Sequence, residues 1–341
     1  MPVLLRPPRP GRAHLPPRER LPALNGPGWF AGLEESRALS RLATGELEVR
    51  GRLVDASNAT LYCVVTGDEG ELPCVYKPVA GERPLWDFPD DTLARREVAS
   101  YTVSALTGWD VVPPTVFRDG PLGPGSVQLW LRPEKGDSED DFSEEDAAED
   151  DSTDTDTDTD TDTGTDAGTD TDAGTDEVVL PAAGAGLIEI VDLRRVPEHW
   201  LTVLRAEDHS GHPVALVHAD DLRLRRIAVL DTVLNNADRK GGHVLPGWSG
   251  AVHGVDHGLT FHEEPKLRTV LWGFGGTRLL AEEREVLSRL ARDLQGDLGD
   301  LLARLLTVEE AVATAERVDR LLSLDRLPRQ RGQRTIPWPP F

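Results

Sequence analysis

Lysine is scarce in this sequence: 33 Arg stand beside only 4 Lys, at positions 77, 135, 240 and 266. Two of these lie where they could do chemistry. Lys77 sits in VYKPV, at the end of a β-rich run, and Glu97 sits in the first turns of the helical pattern that follows. An ammonium binds phosphate oxygens as a point charge, and a carboxylate on the next element would hold it in place. Further on, Asp238-Arg239-Lys240-Gly241-Gly242-His243 puts a carboxylate five residues ahead of a metal-capable imidazole. There Asp238 would accept or orient the proton of an attacking hydroxyl, and Lys240 would neutralise a transferring phosphate. Val255-Asp256-His257-Gly258 supplies a second carboxylate. Asp256 would bridge a metal ion to phosphates, and Gly258 would allow a sharp turn behind it. Together these types describe metal-assisted phosphoryl transfer.

Each piece alone has a blander reading: a surface lysine, a solvated helix glutamate, a polar loop. Their order is what carries information. A strand Lys, a helix Glu, a D-x-x-x-x-N loop and a strand–Asp–x–Gly turn follow one another in this sequence in kinases. Here His243 stands in place of Asn, and a hard cation such as Mg²⁺ prefers oxygen to imidazole. Neither G-x-G-x-x-G nor G-x-x-x-x-G-K-[ST] occurs. The turn 55–60 would cover the phosphates instead, with Ser57 and Asn58 as donors. The run Val127–Leu131 would join two lobes and line an adenine, with Gln128 among its polar groups.

The elements that must position these residues are legible as changes of period. Residues 36–45 read as a short helix closed by Gly45, and 46–80 as three antiparallel strands. A helix follows, with an Asp cap at 90 or 91, with Leu93, Val98, Tyr101 and Leu106 on one face, and with a stop at Gly108. VVPPTVF and SVQLWL read as two further strands. In the second half, LIEIVDL reads as a strand, PEHWLTVLRA as a helix, and 220–236 as a strongly amphipathic helix ending in Asn235 and Asn236. A Gly-rich loop and two short strands come next. From Ala281 to Leu324 the pattern is helical, with Leu287, Leu290, Leu294, Leu298, Leu301 and Leu305 as an apolar stripe. Thr307 and Glu310 form a capping-box signature.

The net charge of −23 comes almost wholly from one segment. Residues 134–177 hold 21 Asp or Glu and one Lys, a net of −20, so the rest of the chain is −3. Alternating Thr-Asp with Phe142 as the single large apolar residue predicts an extended, disordered insert, with Ca²⁺ binding or docking of a basic partner as further readings. Residues 1–35 carry eight prolines and read as a disordered arm. The acidic balance argues against a nucleic-acid partner. No apolar run is long enough to span a membrane, and Cys63 and Cys74 read as reduced core thiols, which together predict a cytoplasmic protein. The resulting organisation is an arm (1–35), a sheet with one helix (36–133), the acidic insert (134–177), a mainly helical part (178–328) and a tail (329–341).

The strings GELEVRGRL, VYKP, GERPLWDFP, LARREVASY, GWDVVPPTV, NNADRKGGH and VDHGLTFHEEPKLRTVLWG together resemble an actinobacterial family of uncharacterised proteins related to the phosphatidylinositol 3- and 4-kinase catalytic domain. The resemblance spans about residues 42–133 and 178–325. It implies an α+β, bilobal kinase-like fold that binds ATP with Mg²⁺ or Mn²⁺. Lys77 would match the phosphate-binding lysine, Glu97 its partner, Asp238 the catalytic aspartate and Asp256 the metal aspartate. His243 stands where the lipid kinases carry Asn, and Lys240 where they carry His.

Three functions remain open at this level. The first is an ATP-dependent phosphotransferase whose acceptor is a lipid, a protein Ser/Thr or a small alcohol. The lack of a basic patch or amphipathic anchor weighs against a membrane lipid. The second is a nucleotide-binding pseudokinase or scaffold, motivated by His243. The third is a metal-dependent hydrolase built on His243, His253, His257 and Asp256, which would leave Lys77 and Glu97 unexplained.

Overall fold

The computed structural model describes residues 29–30, 33–53, 58–131, 186–247, 250–332 and 334–341. The acidic insert and most of the proline-rich arm lie outside them, as does Ser57. Among the described residues the chain is α+β, with antiparallel sheets and six α-helices.

A two-residue pair, β1 (Trp29–Phe30) with β2 (Leu33–Glu34), leads into α1 (Glu35–Thr44). Gly45 ends α1, its N–H donating to the Arg41 carbonyl. Strands β3 (Glu46–Arg52), β4 (Leu61–Thr66) and β5 (Leu72–Pro78) follow. Then come α2 (Leu93–Thr107), β6 (Thr115–Gly120) and β7 (Gly123–Leu129). The five strands pair antiparallel in the order β3-β4-β5-β7-β6.

Alternation gives this sheet two different faces. Cys63, Cys74, Tyr76, Val127 and Leu129 turn to one side and close a small core with Ala38 and Leu42 of α1. Val75, Lys77, Ser126 and Gln128 project from the other face, because Lys77 pairs with Ser126 and Val75 with Gln128. The two thiols sit opposite each other across β4 and β5, buried and free.

Helix α2 starts at Thr92, not at an aspartate cap: Glu82 accepts from the Leu93 and Ala94 N–H groups and satisfies the first turn from outside the helix. Gly108, at φ +69°, closes it in the left-handed conformation, as the sequence predicts.

A second, three-stranded sheet has the order β8-β10-β9, with β8 at Ile188–Asp192, β9 at Trp200–Glu207 and β10 at Pro213–Ala219. Strand β9 replaces the helix expected at PEHWLTVLRA. Its Trp, Thr and Val suit a pleated surface, and pairing along the full length of β10 outweighs the helical reading of the leucines.

The rest is mainly helical: α3 (Leu222–Leu234), the short pair β11 (Val244–Pro246) and β12 (Val252–Gly254), then α4 (Ala281–Asp293), α5 (Asp297–Leu305) and α6 (Val308–Leu324). The leucine stripe is buried through Leu301, but the chain breaks at Leu294–Gly296 and again at Leu306–Thr307. Thr307 and Glu310 form the expected capping box. Helices α2 to α6 and the second sheet share the larger core. Within it Arg96 of α2, fully buried, donates to Glu310 of α6 and to the Thr260 carbonyl. No helix among the described residues is long and apolar enough to cross a membrane.

Candidate active site

Strand β5 ends with Lys77 on the sheet face away from α1, and α2 brings Glu97 beneath it. The Lys77 ammonium donates to Glu97 Oε1 and, at 2.9 Å, to Asp256 Oδ1. Glu97 is buried and its second oxygen has no partner, so without Lys77 it would be a stranded charge. Burial pulls the Lys77 pKa down, but Asp256 and Glu97 outweigh it and hold the ammonium above its ordinary value. The Lys77 ammonium in turn holds the Asp256 carboxyl far below the usual carboxylate range. Asp256 is left-handed at φ +57°, half exposed, and turned back towards β5. The sharp turn expected at Gly258 therefore falls on Asp256, and Gly258 is outside the left-handed region.

The second part of the site hangs from α3. Asn235 ends that helix at φ +53° and ties the following chain down, donating to the His262 and Glu264 carbonyls. Asn236 accepts from the Asp238 N–H and donates to Asp231. Arg239 is fully buried. It donates from two nitrogens to Asp231, from a third to the His243 and Val255 carbonyls, and meets His257 Nε2 at 2.6 Å. One guanidinium thus fixes α3, the loop 238–243 and the strand end that delivers Asp256. Since guanidinium only donates, His257 Nε2 accepts and its proton sits on Nδ1. Burial, then Arg239, keeps His257 neutral far below its usual pKa.

Asp238 and Lys240 face each other at 3.5 Å and stay partly open to solvent, at 25% and 22%. Burial pushes the Asp238 carboxyl up to about 6; Asp256 adds to the rise and Lys240 opposes it. His243 directs Nε2 towards Asp256 Oδ2 at 3.4 Å. Burial pushes its pKa down to about 4, so it is neutral at pH 7.

Two expected site residues among the described ones, Asn58 and Gln128, are not part of this cluster. Ser57 lies outside the described residues. Asn58 spends its side-chain oxygen on the Arg83 N–H. Gln128 shares a sheet face with Lys77 but donates to Thr115 across the sheet. The histidines do not converge as a metal-dependent hydrolase needs: His253 bonds the Asp110 carbonyl and His257 bonds Arg239. Among the described residues no three His, Cys, Asp or Glu side chains group as a metal cage. Sequence reasoning missed Asp231 and His257 as supports of the loop. Asp231 looks like an ordinary polar position of an amphipathic helix, and only its bonds to Arg239 and Asn236 mark it out.

Fold and site define an α+β protein that holds one lysine between two carboxylates from distant parts of the chain, beside an aspartate–lysine loop braced by a buried arginine. The chain is 44% identical over 300 residues to Protein Rv2133c of Mycobacterium tuberculosis, an alignment covering 88% of this chain and 94% of the relative. It belongs to the family of that protein. No family model matches the chain.

Proposed function

We propose that the chain is an ATP- and Mg²⁺-dependent phosphotransferase with a bilobal kinase-like fold related to the phosphatidylinositol 3- and 4-kinases. The observation that carries the reading is the Lys77–Glu97–Asp256 cluster, which joins a strand, a helix and a loop 179 residues apart in sequence. A structural ion pair has no need of a half-exposed third member. A phosphate site does, because the lysine must exchange Asp256 for phosphate oxygens while Glu97 keeps it aimed.

The residues fit such a ligand in part. Asp256 and His243 offer at most two protein ligands, which suits Mg²⁺, since that ion takes its remaining ligands from water and phosphate. Bound Mg²⁺ would screen the charge of the phosphates. Lys77 would hold their oxygens, and Asp238 would take the proton of the acceptor hydroxyl. Its pKa of about 6 leaves it ionised at pH 7 yet basic enough to accept. Lys240, next to it, would face the phosphoryl group in flight. The acceptor class stays open between lipid, protein Ser/Thr and small alcohol.

His243 supports a second reading, a nucleotide-binding pseudokinase or scaffold whose acidic segment docks a basic partner. A buried neutral imidazole is a weak Mg²⁺ ligand. Mg²⁺–ATP turnover by the purified chain, beside Asp238→Ala, separates the two. Turnover abolished in Asp238→Ala with nucleotide binding retained supports the enzyme. Binding without turnover in the wild type supports the pseudokinase.

A further inference from the structure

The segment Thr335–Phe341 lies against the loop that carries Asp238 and Lys240; it is tied at one end to the neighbouring run Thr269–Trp272 and at the other to the loop itself. The Thr335 carbonyl accepts from the Thr269 N–H at 3.1 Å and from Trp272 Nε1 at 2.8 Å. Thr269 is itself bridged to Arg239, whose N–H donates to Arg268 and whose carbonyl accepts from Val270. At the far end, the Pro340 carbonyl accepts from the Gly241 N–H at 2.7 Å. Between these points Pro337 is buried and Ile336 packs on the larger core.

Gly241 shows what the second tie requires. Its backbone is outside the left-handed region, so no turn demands glycine there. A Cβ would clash with the edge of the Phe341 ring, 2.5 Å from Cδ1 and 2.8 Å from Cζ. Gly242, one residue on, meets nothing from Phe341 closer than 3.9 Å. Glycine at 241 therefore makes room for one aromatic ring. With the ring in place, Asp238 and Lys240 stay partly open to solvent.

We propose that Pro340 and Phe341 are positioning residues: they brace the loop Asp238–His243 at Gly241, a second point besides those held by Arg239, with Gly241 as the seat of the Phe341 ring. Arg239 fixes the loop from within the core. The brace fixes Gly241, which Arg239 does not touch. Its consequence for catalysis rests on the phosphotransferase reading; its hold on the loop does not.

The test is hydrogen exchange of the full chain, with Mg²⁺–ATP turnover and ATP affinity measured in parallel, for Phe341→Ala, Gly241→Ala and the double variant. The brace predicts exchange about tenfold faster across 239–243 in Phe341→Ala, with Leu93–Thr107 unchanged. Gly241→Ala alone does the same by expelling the ring. The double variant is no looser than either single one, because the clash has gone. Turnover falls by about tenfold while ATP affinity holds, as for a group that acts after binding. Unchanged loop exchange in Phe341→Ala overturns the proposal. So does faster exchange with higher turnover, which would make the segment a plug. A wild-type chain that binds Mg²⁺–ATP without turning it over defeats the phosphotransferase reading, and the exchange measurement then decides the brace alone.

Discussion

Arg239 and Asp231, eight residues apart, form a two-point ion pair with both side chains buried: Nε to Oδ2 at 2.9 Å and Nη2 to Oδ1 at 3.0 Å. The remaining guanidinium nitrogen serves two carbonyls, so the loop, the strand end and the helix share a single cation. A lysine keeps the charge but cannot reproduce a planar fork with five donors.

Arg239→Lys is accordingly expected to destabilise the fold by about 2–4 kcal/mol, close to the cost of breaking a buried pair. Denaturant unfolding checks it. A loss under about 0.5 kcal/mol, typical of a surface substitution, would show that the loop is held elsewhere.

Lys77 and Glu97 predict non-additivity. Lys77→Met strands a buried carboxylate and should cost about 1–3 kcal/mol. Adding Glu97→Gln removes that charge and should recover most of the loss, a coupling that a double-mutant cycle in denaturant reads directly. Additive effects would mean that the two side chains do not depend on each other.

On the phosphotransferase reading, Asp238 should set the acid limb of activity. Its carboxylate must be ionised to accept a proton, so turnover should fall as pH drops through about 6. The stability effect has the opposite sign. The folded chain holds this proton more tightly than the unfolded chain, whose value is 3.8, so the group's contribution to stability declines as pH rises through about 6. Lys240 pulls the carboxyl down, so Lys240→Met should move the acid limb to higher pH. A pH–rate profile that does not move would remove Lys240 from the surroundings that set the Asp238 pKa.

Cys63 and Cys74 should resist thiol reagents until the chain unfolds. Burial pushes the Cys63 thiol up to about 12 and the Cys74 thiol higher still, which leaves almost no thiolate at pH 8. Thiol titration with and without denaturant checks this. Rapid labelling of the native chain would show that the β4–β5 pair opens.

Much of the positioning frame could be read in the sequence because it depends on local rules. The period changes around Lys77 and Glu97, Gly45 and Gly108 as helix stops, and the Thr307–Glu310 box all reappear. What could not be read depends on distant residues meeting in space. Trp200–Glu207 is a strand because β10 pairs with it, and α2 starts where Glu82 reaches it from another loop. The loop supports were hidden for the same reason: Asp231, His257 and Phe341 gain their roles only from Arg239 and Gly241. The turn 55–60 offers Ser57 and Asn58 where glycines are missing. Asn58 instead ties down the chain at Arg83.

The central claim is that Lys77, set between Glu97 and Asp256, is a nucleotide phosphate site. Calorimetric titration of the wild-type chain and Lys77→Met with Mg²⁺–ATP tests it most directly, with thermal unfolding confirming that both are folded. The account predicts saturable, metal-dependent binding by the wild type. It predicts affinity at least about tenfold weaker in Lys77→Met, as expected when one charge-assisted hydrogen bond to phosphate is removed. Equal affinity in the two folded chains, or no binding by the wild type, would contradict it.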